Sequence, residues 1–127
     1  MSLSKFATSI NCIDGRIQLL ISNWIKQKYS VDYVDVITHP GSDKVMAEKN
    51  IDRIAEIKSK VVISINAHNS KLVVVSGHHD CAANLSTKDI HVIQIRKSIN
   101  IVKSWRLQVS VVGLWINDQW EIEQVQE

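Results

Sequence analysis

The spacing of apolar residues changes several times along this chain, and each change marks an element. Phe6 to Ile13 reads as a first strand that closes near Gly15. Ile17, Leu20, Ile21, Trp24 and Ile25 then recur at i, i+3, i+4, i+7 and i+8, the stripe of an amphipathic helix. Tyr33 to Ile37 reads as a second strand. "THPGSD" at 38–43 reads as a loop in which Ser42 or Asp43 caps the next helix. Residues 44–67 carry two patterns. Ile51, Ile54, Val62 and Ile65 roughly keep helical spacing, while "VVISI" at 61–65 resembles a strand; a crossover between parallel strands favours one helix. "KLVVVSG" at 71–77 reads as a buried strand. "STKD" at 86–89 has the form of a capping box with Asp89 as its acid, and Val92, Ile95, Ile99, Val102 and Trp105 line a helix face behind it. "QVSVVGLWI", a tight Asn117-Asp118 turn and "QWEIEQV" complete the chain as a hairpin ending in an edge strand.

The order β-α-β-α-β-α-β-β predicts an α/β fold: a three-layer arrangement with a mainly parallel central sheet flanked by helices. The predicted strand order is 2-1-3-4, with antiparallel edge strand 5. With strands one and three adjacent, the chain winds away from them in opposite directions, and their carboxyl ends border a ligand-binding crevice. Cys12 falls at the end of strand one. His78 and Cys81 fall at the end of strand three.

A chain of 127 residues, 45% hydrophobic and 22% charged, fits a single domain over 1–127. The net charge of +2 is too small to argue for nucleic acid or an anionic membrane, and the lysines are scattered. No stretch has signal-peptide or membrane-span character, which predicts a cytoplasmic protein. In a reducing compartment its two cysteines are metal ligands, reactive thiols or core filler before they are a disulfide.

Cys12, His78 and Cys81 make a good zinc donor set, and three protein ligands leave a fourth position for water. The His-x-x-Cys spacing lets one short turn present two of them, with His79 as an alternative to His78. His39, His68 and His91 read as surface or loop residues. Asp14 and Arg16, two positions apart after the strand, can pair as carboxylate and guanidinium. Beside a zinc ion, the carboxylate either binds the metal or pairs with Arg16 and accepts a hydrogen bond from bound water.

These residues resemble a known family. Cys12-Ile13-Asp14-Gly15-Arg16 looks like the Cys-x-Asp-x-Arg motif of the β-class carbonic anhydrases, and His78-His79-Asp80-Cys81 looks like their His-x-x-Cys motif. The resemblance implies that Cys12, His78 and Cys81 hold Zn2+ and that Asp14 and Arg16 form a catalytic gating dyad. Zinc-bound hydroxide would hydrate carbon dioxide reversibly to bicarbonate, which makes the protein a carbonate dehydratase. It also implies a homodimer or higher homo-oligomer, with carbon dioxide and bicarbonate as the small-molecule partners. The sequence departs from the family pattern in places. It is shorter than typical members, and with eleven residues ahead of Cys12 the family's N-terminal helices are expected to be missing. "THPGSDKV" stands where members carry Arg-Asn-Ala-Gly-Asn, Ala82 replaces the glycine after the second cysteine, and the bicarbonate-contacting glutamine has no counterpart. A zinc protein without catalysis, a hydrolase of a small linear carbon–sulfur substrate and a thiol enzyme using Cys12 or Cys81 are the competing readings.

Overall fold

The computed structural model describes residues 4–126. The strands are β1 (Phe6–Asn11), β2 (Tyr33–Thr38), β3 (Leu72–His78), β4 (Ser110–Ile116) and β5 (Ile122–Val125). The helices are α1 (Gln18–Tyr29), α2 (Ser42–Ala47), α3 (Ile51–His68) and α4 (Lys88–Ser104). The strands form one sheet in the order β2-β1-β3-β4-β5, parallel except for β5. The fold class and the strand order predicted from the sequence are therefore those observed.

Strand alternation divides the core into two layers. Val73 and Val75 of β3 join Met46, Ile57, Val61, Ile95 and Ile99 from α2, α3 and α4 on one face. Leu72 and Val74 join Ile17, Ile21 and Ile25 around α1 on the other. Winding left from β1 and right from β3 with one crossover hand puts their helices on opposite faces. The same reversal opens the crevice at the carboxyl ends of β1 and β3. Register places Ile10 beside Val75, so Cys12 and His78 leave the same sheet edge on adjacent strands. Gly113 lets α4 come close to β4: a Cβ there would lie 2.6 Å from Ile95 Cγ2 and 2.8 Å from Ile99 Cδ1.

Several local expectations are corrected. β1 stops at Asn11, so Cys12 and Ile13 belong to the loop. The long helix over 44–67 is two helices, separated where Lys49 takes a positive φ of 56° and Asn50 caps α3 by accepting from the Arg53 N–H. The α3 face also differs: Ile51 is 82% exposed, and Ile57, Val61 and Ser64 are buried. Ser64 can lie inward because its hydroxyl meets Thr8 Oγ1 and Asp35 Oδ2, each at 2.7 Å. Thr87, not Ser86, caps α4, accepting from the Ile90 N–H at 3.4 Å. The tight Asn117-Asp118 turn is instead a loop over 117–121, in which Asn117 Oδ1 accepts from the N–H groups of Gln119 and Glu121. No described helix is long and apolar enough to cross a membrane.

Candidate metal centre

The loop after β1 is shaped by polar side chains that reach back to backbone. Buried Asn11 accepts from Ser9 Oγ at 2.7 Å and donates to Gln18 Oε1 at 2.9 Å. Gln18 in turn donates to the carbonyls of Cys12 at 2.8 Å and Asp14 at 2.7 Å. The first residue of α1 thus ties down the turn that carries Cys12. From the loop after β2, the backbone N–H of Gly41 points at Cys12 Sγ, 3.4 Å away. Gly41 has a φ of +60° and lies against Ala83, so a side chain is excluded there on both grounds.

Ligand atoms of Cys12, His78 and Cys81 all lie within 4.8 Å of one another, and the three residues are buried. The two sulfurs are 3.7 Å apart and both thiols are free. His78 Nδ1 is 2.8 Å from the His79 carbonyl oxygen, which only accepts, so Nδ1 carries the proton. In the neutral ring the lone pair then falls on Nε2, a buried atom beside Cys12 that forms no hydrogen bond of good geometry. An orphaned buried nitrogen costs free energy unless something meets it. Its placement beside two sulfurs, with the tautomer fixed from behind, fits a metal ligand. Of the two histidines, His78 is the one grouped with the sulfurs, while exposed His79 contributes its carbonyl to His78 Nδ1.

The electrostatics favour one thiolate. Burial alone pushes the Cys12 thiol up, but the His78 imidazole and the backbone N–H of Gly41 outweigh it and bring the thiol down to about 7. Burial and the nearby Cys12 charge push Cys81 up to about 11. Burial disfavours a charged His78, yet the adjacent Cys12 sulfur holds it above its ordinary value. A metal cation would relieve the cost of holding both sulfurs as thiolates.

Asp14 and Arg16 meet as the spacing anticipated. Arg16 Nη2 donates to Asp14 Oδ2 at 2.7 Å, and Nε reaches Oδ1 at 3.1 Å. This hydrogen bonding to Arg16 pulls the Asp14 carboxyl down to about 2. The structure adds partners that sequence patterns did not single out. Arg16 Nη1 donates to Asp80 Oδ2 at 3.2 Å, Nη2 donates to the Asp80 carbonyl at 3.1 Å, and the guanidinium lies 4.6 Å from the Trp120 ring centre. Trp120, expected on the edge strand, belongs to the β4–β5 loop at a φ of 59°. Asp14 is not among the three donors drawn together.

Two expectations about polar residues are overturned nearby. Asp43 caps no helix, and the residue at the α2 N-cap is Gly41. Asp43 is buried against His91, which sits on α4 at 1% exposure rather than on the surface. The helical stripe of α4 hid it, because a histidine at a stripe edge reads as polar. His39 is half-buried. His68 is exposed at the end of α3, paired with Asp35 at 2.6 Å.

The chain matches a family model described as "Putative carbonic anhydrase" over residues 2–126. Among curated proteins none matches it. Solved structures with this fold include β-carbonic anhydrase isoform I from the protozoan Trichomonas vaginalis: 16% identity, TM-score 0.63, 98% of this chain and 86% of that one covered. A carbonic anhydrase from Glaciozyma antarctica is 12% identical at a TM-score of 0.65, with 99% and 85% covered. A structure from a report of two tetrameric β-carbonic anhydrases of the ascomycete Sordaria macrospora is 13% identical at 0.60, with 99% and 83% covered. At such identities the likeness shows a shared fold, and the match along nearly the whole sequence shows that the chain belongs to this carbonic anhydrase family.

Proposed function

We propose that the chain binds zinc through Cys12, His78 and Cys81 and catalyses the reversible hydration of carbon dioxide to bicarbonate. The observation that carries this reading is the buried, unpartnered Nε2 of His78 beside two free thiols. Zinc bound by these three residues would supply Lewis acidity, the chemistry that brings the pKa of water from about 15.7 to around 7. Cys12, His78 and Cys81 would hold the ion, while Asp14, whose carboxylate is engaged by Arg16, would stay outside the donor set. With its carboxyl held near 2, Asp14 is ionised at working pH and acts only as an acceptor. It therefore favours a partner that brings a proton. Asp80 and Trp120 contact Arg16 in turn.

The same reading makes the protein a homo-oligomer. β2 is an unpaired sheet edge, with Tyr33 and Val36 exposed along it, and such edges are usually covered. Two free thiols serving as ligands suit a reducing compartment, so we assign the protein to the cytoplasm. Stopped-flow hydration of carbon dioxide tests the activity, with zinc-replete protein and Cys12→Ser as control. Rates well above the control support the assignment. Equal rates in protein holding one zinc per chain would sink it and leave a zinc-binding relative without this catalysis.

A further inference from the structure

A buried polar knot lies against the last turn of β3, outside the donor set. Asp43 Oδ2 is 2.6 Å from His91 Nδ1, and both side chains are almost fully buried. Asp43 Oδ1 accepts from Asn84 Nδ2 at 3.0 Å and from the Lys44 N–H at 2.9 Å. Asn84 Nδ2 also donates to Gln94 Oε1 at 2.7 Å, and the Asn84 carbonyl accepts from His91 Nε2 at 3.1 Å. Gly77, the residue before His78, leaves the space that the carboxylate fills. A buried carboxyl group held by this many partners is costly to build, and the dyad described above makes no use of it.

The knot joins the two segments that serve the cysteine sulfurs. Asp43 lies two residues beyond Gly41, whose N–H donates to Cys12 Sγ. Asn84 follows Ala83, whose backbone N–H faces the Cys81 sulfur, and its own N–H donates to the Cys81 carbonyl at 3.1 Å. Gly41 and Ala83 are themselves in close contact. The Asn84–Asp43 hydrogen bond is the side-chain link between these two segments, and His91 braces it from α4.

We propose that Asp43, locked by Asn84 and His91, is a positioning residue for the metal centre, holding Gly41 and residues 81–84 in the register that aims their backbone N–H groups at the cysteine sulfurs. This rests on the reading of Cys12, His78 and Cys81 as metal ligands. N–H donors stabilise thiolates and fix their lone pairs, so a loosened knot weakens metal binding without removing a ligand.

The test is equilibrium zinc affinity by chelator competition, together with the thiolate-to-cobalt charge-transfer spectrum of cobalt-loaded protein. It is run on the wild type, Asp43→Asn and Ile57→Val. Asp43→Asn keeps the shape and removes the anion; Ile57→Val thins the core away from the site. The expected result is a wild type that takes one zinc per chain. Asp43→Asn should bind zinc about ten- to a hundred-fold more weakly with shifted cobalt bands, and Ile57→Val should change neither. Asp43→Asn with wild-type affinity and spectrum would overturn the positioning role while leaving the metal site standing. A wild type that takes no zinc would overturn the metal site itself, and the positioning role with it. Should Asp43→Asn not fold, Asn84→Ser cuts the same link and is measured the same way, with the same opposed outcomes.

Discussion

Replacing Gly77 with alanine tests how tightly the knot is boxed in. The new Cβ would lie 2.3 Å from Asp43 Oδ2 and 3.1 Å from both Asp43 Cγ and His91 Nδ1. That is about 1 Å short of an ordinary contact, so the carboxylate has to move. It has nowhere to go without giving up its 2.6 Å contact with His91 or its 3.0 Å bond from Asn84. Losing a buried polar partner costs about 1–3 kcal/mol on top of the overpacking itself, a large share of an ordinary domain's stability. Gly113→Ala crowds Ile95 Cγ2 and Ile99 Cδ1 but breaks no hydrogen bond, and should cost about 1–3 kcal/mol by overpacking. Gly15→Ala meets nothing within 4 Å and should stay within about 1 kcal/mol of wild type. Urea unfolding at constant m ranks the three. Gly77→Ala within about 1 kcal/mol of wild type, or less damaging than Gly113→Ala, would refute the reasoning.

Three other outcomes are expected. In metal-free protein the ultraviolet absorbance of thiolate should rise in two steps, near pH 7 for Cys12 and near pH 11 for Cys81; Cys12→Ser should remove the first and lower the second. Because the Cys12 thiol is depressed in the fold, its contribution to stability is full above the ordinary thiol value of 9.0 and is lost as pH falls through about 7. Arg16→Ala should let the Asp14 carboxyl climb from about 2 toward 3.8, read by the pH dependence of its carboxylate carbon resonance. The contribution of the pair is present above that ordinary value and disappears as pH falls toward 2, and with Arg16 half exposed solvent screens it strongly. Asn50→Ala should cost about 1 kcal/mol by uncapping α3, and Thr87→Ala less, since its bond is 3.4 Å long; equal losses in urea would contradict the cap geometry.

The legible parts of the sequence are those with a period or a fixed spacing. The α1 stripe is legible at its core, with Ile17, Ile21 and Ile25 all fully buried, and so is the central stripe of α4. "VVISI" is settled as helix by topology rather than propensity, since a parallel crossover demands one. Boundaries are less legible. The break at Lys49–Asn50 rests on a left-handed residue and a cap that no hydrophobic period records. The inward turn of Ser64 depends on hydroxyl and carboxylate partners from β1 and β2.

By itself the sequence determined the alternation of elements and the two motifs, because each is written in local spacing; the strand order follows only where strands one and three are neighbours. Asp14 and Arg16 pair across two residues, and a strand end needs no distant partner to present Cys12 or His78. Only the tertiary structure decided what lies behind them. Asp43, Asn84 and His91 are far apart in sequence and carry no shared pattern, and Trp120 reaches Arg16 from the opposite end of the chain. Buried polar contacts are specified by mutual satisfaction of donors and acceptors, which exists only once the sheet has brought the segments together.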